Sequence, residues 1–439
     1  MSEVTKIEHS KLKLTHIALL ILAASVIGGF VAIAIALFLQ TVHLVQDIFH
    51  VTPLHQLPEG GGARHWSLPL ILGGGGLVVG LLCYYIMPGR ANKGMMHVLE
   101  ADLLNDNKVS MREGFGVGLL SAISIGFGAS VGRYGPSVHM GAALGSLLAS
   151  FSPLKDSRRT LFASGIAAAI SASFNAPLAG ILFAHEVILR KFSIKTFIPI
   201  AVSSVAGSAT AQLLDVHIKG VPVAMTGLSH YWYEYLFFAI LGLLSGVVTV
   251  IFMRSLMWSV PRLQGLPIDS RIRPALGGVV LGVIGMQFPH VLGLGAEVAT
   301  HAAIFQQLPL TLLLTLLALK MVTTPLSLGA GFSGGVFGPA LFIGAMLGAA
   351  FAGVIDQYAN LPISPLSLYA LVGMGGVISP ILGAPISTIL TIFEITTDYE
   401  ATTAILMGVA CAHVVTHRFF GHSLFERQLA GRGIDLLKR

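Results

Sequence analysis

The chain has 439 residues, 54% of them hydrophobic and only 10% charged, with a mean hydropathy of +0.82, which excludes an ordinary soluble globular protein. The net charge is +6 and the pI near 9.3, yet no basic soluble segment is present. The excess of lysine and arginine therefore implies cations retained on the cytoplasmic face of a bilayer rather than a nucleic-acid partner. Cys83 and Cys411 are the only cysteines and both lie in apolar segments, which excludes a disulfide framework and a cysteine metal site.

In chain order, a tail over residues 1–13 carries Lys6, Lys11 and Lys13 and reads as cytoplasmic. The uncharged run Leu14–Leu39 follows. It is too long for the apolar core of a signal peptide and long enough to cross a bilayer, so it is read as a retained first helix. Apolar segments continue to about residue 420, interrupted by loops expected at 51–65, 152–159, 216–230 and 258–272. The loop 216–230 divides a first transmembrane unit, 14–215, from a second, 231–425, and residues 426–439 form a second cytoplasmic tail. Ala163–Ile170 and Val372–Ile378 are too short to span alone. They read as half-helices, which membranes accept where protein or water covers the broken ends.

The two units are copies of one another. Gly126-Phe-Gly-Ala-Ser-Val-Gly-Arg-Tyr-Gly-Pro136 returns 203 positions later as Gly329-Ala-Gly-Phe-Ser-Gly-Gly-Val-Phe-Gly-Pro339, and 10 of the 20 positions from Gly126 to Gly145 are identical in one ungapped register. A second block, Ala176-Pro177 through Ile181-Leu182 to Glu186, returns at an offset of 208 as Ala384-Pro385 through Ile389-Leu390 to Glu394. Duplicated units with helices broken at glycine and proline are the architecture of a transporter or channel whose site lies between halves.

Loop charge separates the copies. Lys155, Arg158, Arg159, Arg190, Lys191 and Lys195 flank the blocks of the first unit, whereas 349–371 has no lysine or arginine and Glu394 is followed by Asp398 and Glu400. By the positive-inside rule the repeats have opposite orientations, the alternative being a parallel duplication with uneven charge.

A glycine-rich turn ending in proline sets unpaired backbone N–H groups at a helix start, where the dipole also favours negative charge. Two such starts, at Pro136 and Pro339, converging from inverted halves would bind an anion without needing a charged side chain. The competing explanation, that the glycines only permit close helix packing, is weaker for a motif that occurs twice at matching positions.

These residues resemble the CLC family of chloride channels and proton-coupled chloride transporters. Gly132-Arg-Tyr-Gly-Pro136 is similar to its Gly-Lys/Arg-Glu-Gly-Pro signature and Gly334-Gly-Val-Phe-Gly-Pro339 to its Gly-x-Phe-x-Pro signature. Asn175-Ala-Pro-Leu-Ala-Gly-Ile-Leu-Phe183, Gly383-Ala-Pro385 and Ser423-Leu-Phe-Glu-Arg-Gln-Leu-Ala-Gly-Arg-Gly433 also match, in order over nearly the whole chain. The resemblance implies an all-α polytopic membrane protein with a CLC-like inverted-topology repeat and broken, tilted helices. It further implies a homodimer with one pore per subunit, in a cell membrane of the bacterial inner-membrane kind with both termini cytoplasmic. No cofactor is expected beyond a bound anion such as chloride, and no CBS domains are expected after Arg439. The anion-binding residues would be Lys93, Arg133, Tyr134, Gly135, Val336, Phe337 and Phe425, with Tyr134 at the gate.

The departures bear on mechanism. The family's gating and proton-carrying glutamate is replaced by Tyr134, and its internal proton-relay glutamate by Val187, with Glu186 beside it. A phenol with pKa near 10 is a poor carrier at neutral pH and valine cannot titrate. The family's anion-site serine aligns with Lys93 and its tyrosine with Phe425, so two hydroxyls become one ammonium and one ring. Lys93 either faces the anion or snorkels to cytoplasmic water. The substrate expected is therefore chloride or another small anion, moved passively. The alternative is proton coupling by another route through Glu186, His139 or Tyr134.

A remote third class, intramembrane proteolysis, rests on Gly331-Phe-Ser-Gly334 with His413 or His417 as base, but Ser333 pairs with Ser130 in the repeat and duplication explains it. His185-Glu186 begins like a zinc-protease helix but Leu189 stands where the second histidine belongs. His97 and the other histidines show no metal-ligand spacing.

Overall fold

In the computed structural model the described residues are 3–49, 65–87, 93–104, 107–215, 231–294, 308–358, 361–396 and 398–434. They form a membrane-embedded helical protein. Among the described residues, seven helices are long and apolar enough to cross a bilayer. The first unit comprises α1 (Glu3–Phe49), α2 (Leu68–Ile86), α3 (Met95–Leu104), α4 (Met111–Gly126), α5 (Tyr134–Leu148), α6 (Arg158–Phe174), α7 (Pro177–Phe183, continued by a wide turn over Ala184–Leu189) and α8 (Ile194–Leu213). The second comprises α9 (Glu234–Gln264), α10 (Arg273–Gln287), α11 (Leu310–Ala330), α12 (Phe337–Tyr358), α13 (Leu366–Leu382), α14 (Pro385–Thr396), α15 (Tyr399–Phe419) and α16 (Leu424–Ala430).

Several boundaries differ from expectation for local reasons. The first helix runs ten residues past Leu39, to Phe49, and α9 runs to Gln264, so the loop expected at 258–272 begins only at 265. The expected loop 216–230 lies outside the described residues. The short pieces 163–170 and 372–378 belong to α6 and α13, each 17 residues long. That is about 25 Å at 1.5 Å per residue, less than a hydrocarbon core. Both helices stop at a left-handed residue, Asn175 at φ 52° and Gly383 at φ 69°, two positions before the proline that opens the next short helix. The same break thus recurs in both copies because the same backbone geometry ends one helix and starts another.

Packing repeats as well. Gly141 and Gly165 bring α5 and α6 so close that a methyl on either would strike the other's carbonyl, and Gly344 and Gly373 do the same for α12 and α13. Such contact between small residues is how membrane helices pack without a hydrophobic driving force.

The copies are related by a local two-fold axis. Gly132 and Gly335, equivalent at offset 203, exchange backbone hydrogen bonds of 2.6 and 2.7 Å. Ser130 N–H donates to Ser327 Oγ, and its equivalent Ser333 N–H donates to Ser124 Oγ, each at 3.1 Å. Glu186 accepts from Ile386 and Ser387 N–H at 3.1 and 2.9 Å, while Glu394 accepts from Leu178 and Ala179 N–H at 2.9 and 2.8 Å. In that last exchange the end of each short helix caps the start of the other, so α7 and α14 run antiparallel. An axis perpendicular to membrane helices lies in the membrane plane, and the repeat is inverted.

Candidate functional site

The first residues of α5 and α12 meet where the two copies cross. Much of the donor capacity of their glycine turns is consumed within the crossing, since Gly132 and Gly335 bond each other and Ser130 and Ser333 bond serine hydroxyls. Among the described residues, the backbone N–H groups of Tyr134, Gly135, Val336 and Phe337 have no partner, as expected at the start of a helix. The anion-binding potential is therefore concentrated in four amides rather than spread along the turns.

These starts close the buried end of a cavity of about 410 Å³. Lys93, Tyr134, Gly135, Val336, Phe337 and Phe425 all line it, six of the seven residues expected to touch the anion. Arg133 does not. It is buried, with its guanidinium carbon 5.7 Å from the ring centroid of Phe174. The Tyr134 ring stacks on Phe337 at 4.4 Å, meets Phe183 edge-on at 5.5 Å and lies 5.9 Å from Phe174, a cluster of four rings of which Tyr134 and Phe337 line the cavity. The Tyr134 side chain is buried among these rings.

Lys93 lines the same cavity, but its ammonium is engaged: Nζ is 2.6 Å from Glu113 Oε1, with both side chains largely shielded. Glu113 was not apparent from sequence. Ser110-Met-Arg-Glu113 has the spacing of a helix-capping pair, and Ser110 Oγ does accept from Glu113 N–H, but the glutamate side chain turns to Lys93 instead. Arg432, also lining the cavity, is held by Glu100 at 3.1 Å. His97 Nδ1 accepts from Gly94 N–H at 3.0 Å. Burial first, then the charges of Arg432 and Lys93, push its pKa down to about 4 against the opposing pull of Glu100, so the ring is neutral at pH 7.

The other residues singled out lie apart from the cavity walls. Val187 is packed in the hydrophobic core beside Phe183, and Glu186 is occupied as the cap on α14. His139 is buried in α5, and its Nδ1 has no partner among the described residues. Ser333 Oγ bonds Ser121 Oγ at 2.9 Å while His413 bonds Ser379 at 2.8 Å, so no serine–histidine pair forms at the Gly-Phe-Ser-Gly turn. His185 bonds Ile181 O and Thr196 Oγ1, and no metal-ligand group occurs among the described residues. The fully buried Glu234 and Lys320 escaped the sequence reading, and Lys320 donates to Val291 O and Gly293 O at 2.9 and 3.2 Å and so ties down a segment whose Gly293 N–H bonds Gly128 O at the crossing.

An inverted helical repeat that points two helix starts and their amides into one cavity is the frame of a membrane transport protein for anions. The chain belongs to the CLC family: the model of that family, described as voltage gated chloride channel, matches residues 75–417. It is 32% identical over 393 residues to a putative chloride channel protein ClcB-like of Ralstonia nicotianae, covering 85% of this chain and 88% of that one. To the H(+)/Cl(-) exchange transporter ClcA of Vibrio parahaemolyticus it is 29% identical over 318 residues, 70% of this chain and 67% of that one. Its fold matches the crystal structure of a slow cyanobacterial Cl-/H+ antiporter with a TM-score of 0.83 at 22% identity, over 96% of this chain and 99% of that one.

Proposed function

We propose that this protein conducts small monovalent inorganic anions, chloride or another, passively and without moving protons. The observation that carries this reading is the chemistry at the cavity's buried end. A buried aromatic ring stands where coupled relatives are expected to place a titrating carboxylate, and no carboxylate lines the cavity among the described residues. The position of the second relay acid is Val187, in apolar packing, and the neighbouring Glu186 is fastened to three donors of α14. Aspartate or glutamate would have to leave such contacts to carry a proton.

Lys93, Arg159, Arg190 and Arg432 share one face, linked through Glu113, Asp102, Glu426 and Glu100. By the positive-inside rule this face is cytoplasmic, with both tails on the same side, in a multi-pass protein of a cell membrane. A homodimer with one pathway per subunit, no cofactor and no proteolytic activity complete the reading.

Purified protein in liposomes, given an anion gradient and an internal pH dye, tests it. Anion efflux with internal pH changing no faster than leak is expected. Sustained uphill proton movement would overturn it. His139, buried with an unpartnered nitrogen, supports the coupled reading, and His139→Phe, which copies the equivalent Phe342, would then abolish the proton movement.

A further inference from the structure

The nature of the cavity wall deepens this reading and rests on it. We infer that the site selects weakly hydrated, polarisable monovalent anions such as iodide, nitrate and thiocyanate over chloride, and rejects fluoride. Both cations that line the cavity are neutralised from outside it, Lys93 by Glu113 and Arg432 by Glu100. His97 is uncharged at pH 7. Much of the remaining wall is methionine and aromatic surface, including Met95, Met257, Phe332, Phe337 and Phe425. At the buried end an anion meets four amides and the edges of the Tyr134 cluster, and Gly132 and Gly335 offer none because they bond each other.

An entering ion must therefore give up water with little net positive charge to replace it. The cost of dehydration rises steeply as an ion becomes smaller, whereas attraction to a fixed cation rises in the same direction and can offset it. A cavity without net charge leaves the dehydration cost in control, and the order of preference follows falling hydration. Glu113 thereby becomes a specificity-determining residue, although it does not line the cavity: it removes the ammonium of Lys93 from competition for the ion.

The experiment measures relative permeability from anion-exchange flux in liposomes for fluoride, chloride, bromide, nitrate, iodide and thiocyanate, with internal pH recorded. For the unaltered protein, iodide and thiocyanate should exceed chloride by about fivefold or more, which corresponds to ~1 kcal/mol. Glu113→Gln frees Lys93 and should reduce the iodide-to-chloride ratio by about threefold or more, while Lys93→Met, which removes the ammonium and leaves the Glu113 carboxylate unpaired, should keep iodide ahead of chloride. Chloride equal to or ahead of iodide in the unaltered protein overturns the inference, as does an unchanged ratio in Glu113→Gln that still transports. If Glu113→Gln does not fold, the selectivity order of the unaltered protein and of Lys93→Met decides. Proton movement alongside a hydration-ordered series would overturn the passive reading and leave this one standing.

Discussion

Tyr134 and Phe337, equivalent positions of the two copies and 203 residues apart, lie face to face with ring centroids 4.4 Å apart and planes within 4° of parallel. The inverted repeat places them there: Gly132 and Gly335 bond across the axis two residues earlier, so the side chains that follow must meet on it. The contact joins the halves of the molecule at the buried end of the cavity, and under the proposed function one ring turns away as an ion passes.

Tyr134→Ala should therefore speed anion flux. An aromatic pair contributes ~0.5–1.5 kcal/mol beyond its burial, so its removal should raise the rate about two- to tenfold if opening is limiting. Tyr134→Phe keeps the ring and should change flux little. Efflux from liposomes measures both. A slower Tyr134→Ala would mean that the ring forms part of the binding site rather than its closure.

The inverted arrangement has a direct test. Glu186, four residues before Arg190, caps the start of α14, and Asp398 follows the far end of that helix. In a background lacking Cys83 and Cys411, single cysteines at positions 190 and 398 should label with a membrane-impermeant reagent from opposite sides. Labelling from the same side would make the duplication parallel.

What the sequence made legible was whatever backbone geometry demands of residue type. Gly132, Gly335, Pro177 and Pro385 recur because a close crossing and a helix start accept few other residues, and they revealed the repeat, its break points and the two converging helix starts. Side-chain partnerships between distant segments were not legible in the same way. Glu113 carries a local signal, the capping spacing from Ser110, that hides its contact with Lys93. Phe174 and Phe183 are ordinary core aromatics until the fold sets them around Tyr134. Helix ends at Phe49 and Gln264 also escaped, because polar residues near a membrane surface continue a helix as readily as they end it.

The exchanged caps separate stability from transport. Glu186 accepts from two backbone amides at the start of α14, and Glu394 from two at the start of α7. Glu186→Gln and Glu394→Gln should each lower stability by ~1–2 kcal/mol through loss of a charged cap. Thermal unfolding in detergent should show similar losses for the two, with flux per folded protein little altered. A Glu186→Gln protein of unchanged stability and altered flux would instead place that carboxylate in the transport path.

His97 supplies the pH dependence. Its pKa is pushed down to about 4 in the folded protein, below the usual 6.5, by burial and then by Arg432 and Lys93. Protonation would also forfeit the acceptor that Gly94 N–H uses. The unfolded chain therefore takes up a proton at this site near pH 6.5, whereas the folded protein resists until about pH 4. The contribution is fully present above pH 6.5, falls as pH drops through that window and is constant again below it. Its ceiling is ~3 kcal/mol at one pKa unit per 1.36 kcal/mol. His97→Gln keeps a group able to accept from Gly94 but does not titrate. The unaltered protein should thus lose more thermal stability than His97→Gln between pH 7 and pH 4, and anion flux should show no inflection from this residue between pH 6 and 8. Equal slopes of stability against pH in the two proteins would mean that His97 is not held neutral at the cavity mouth.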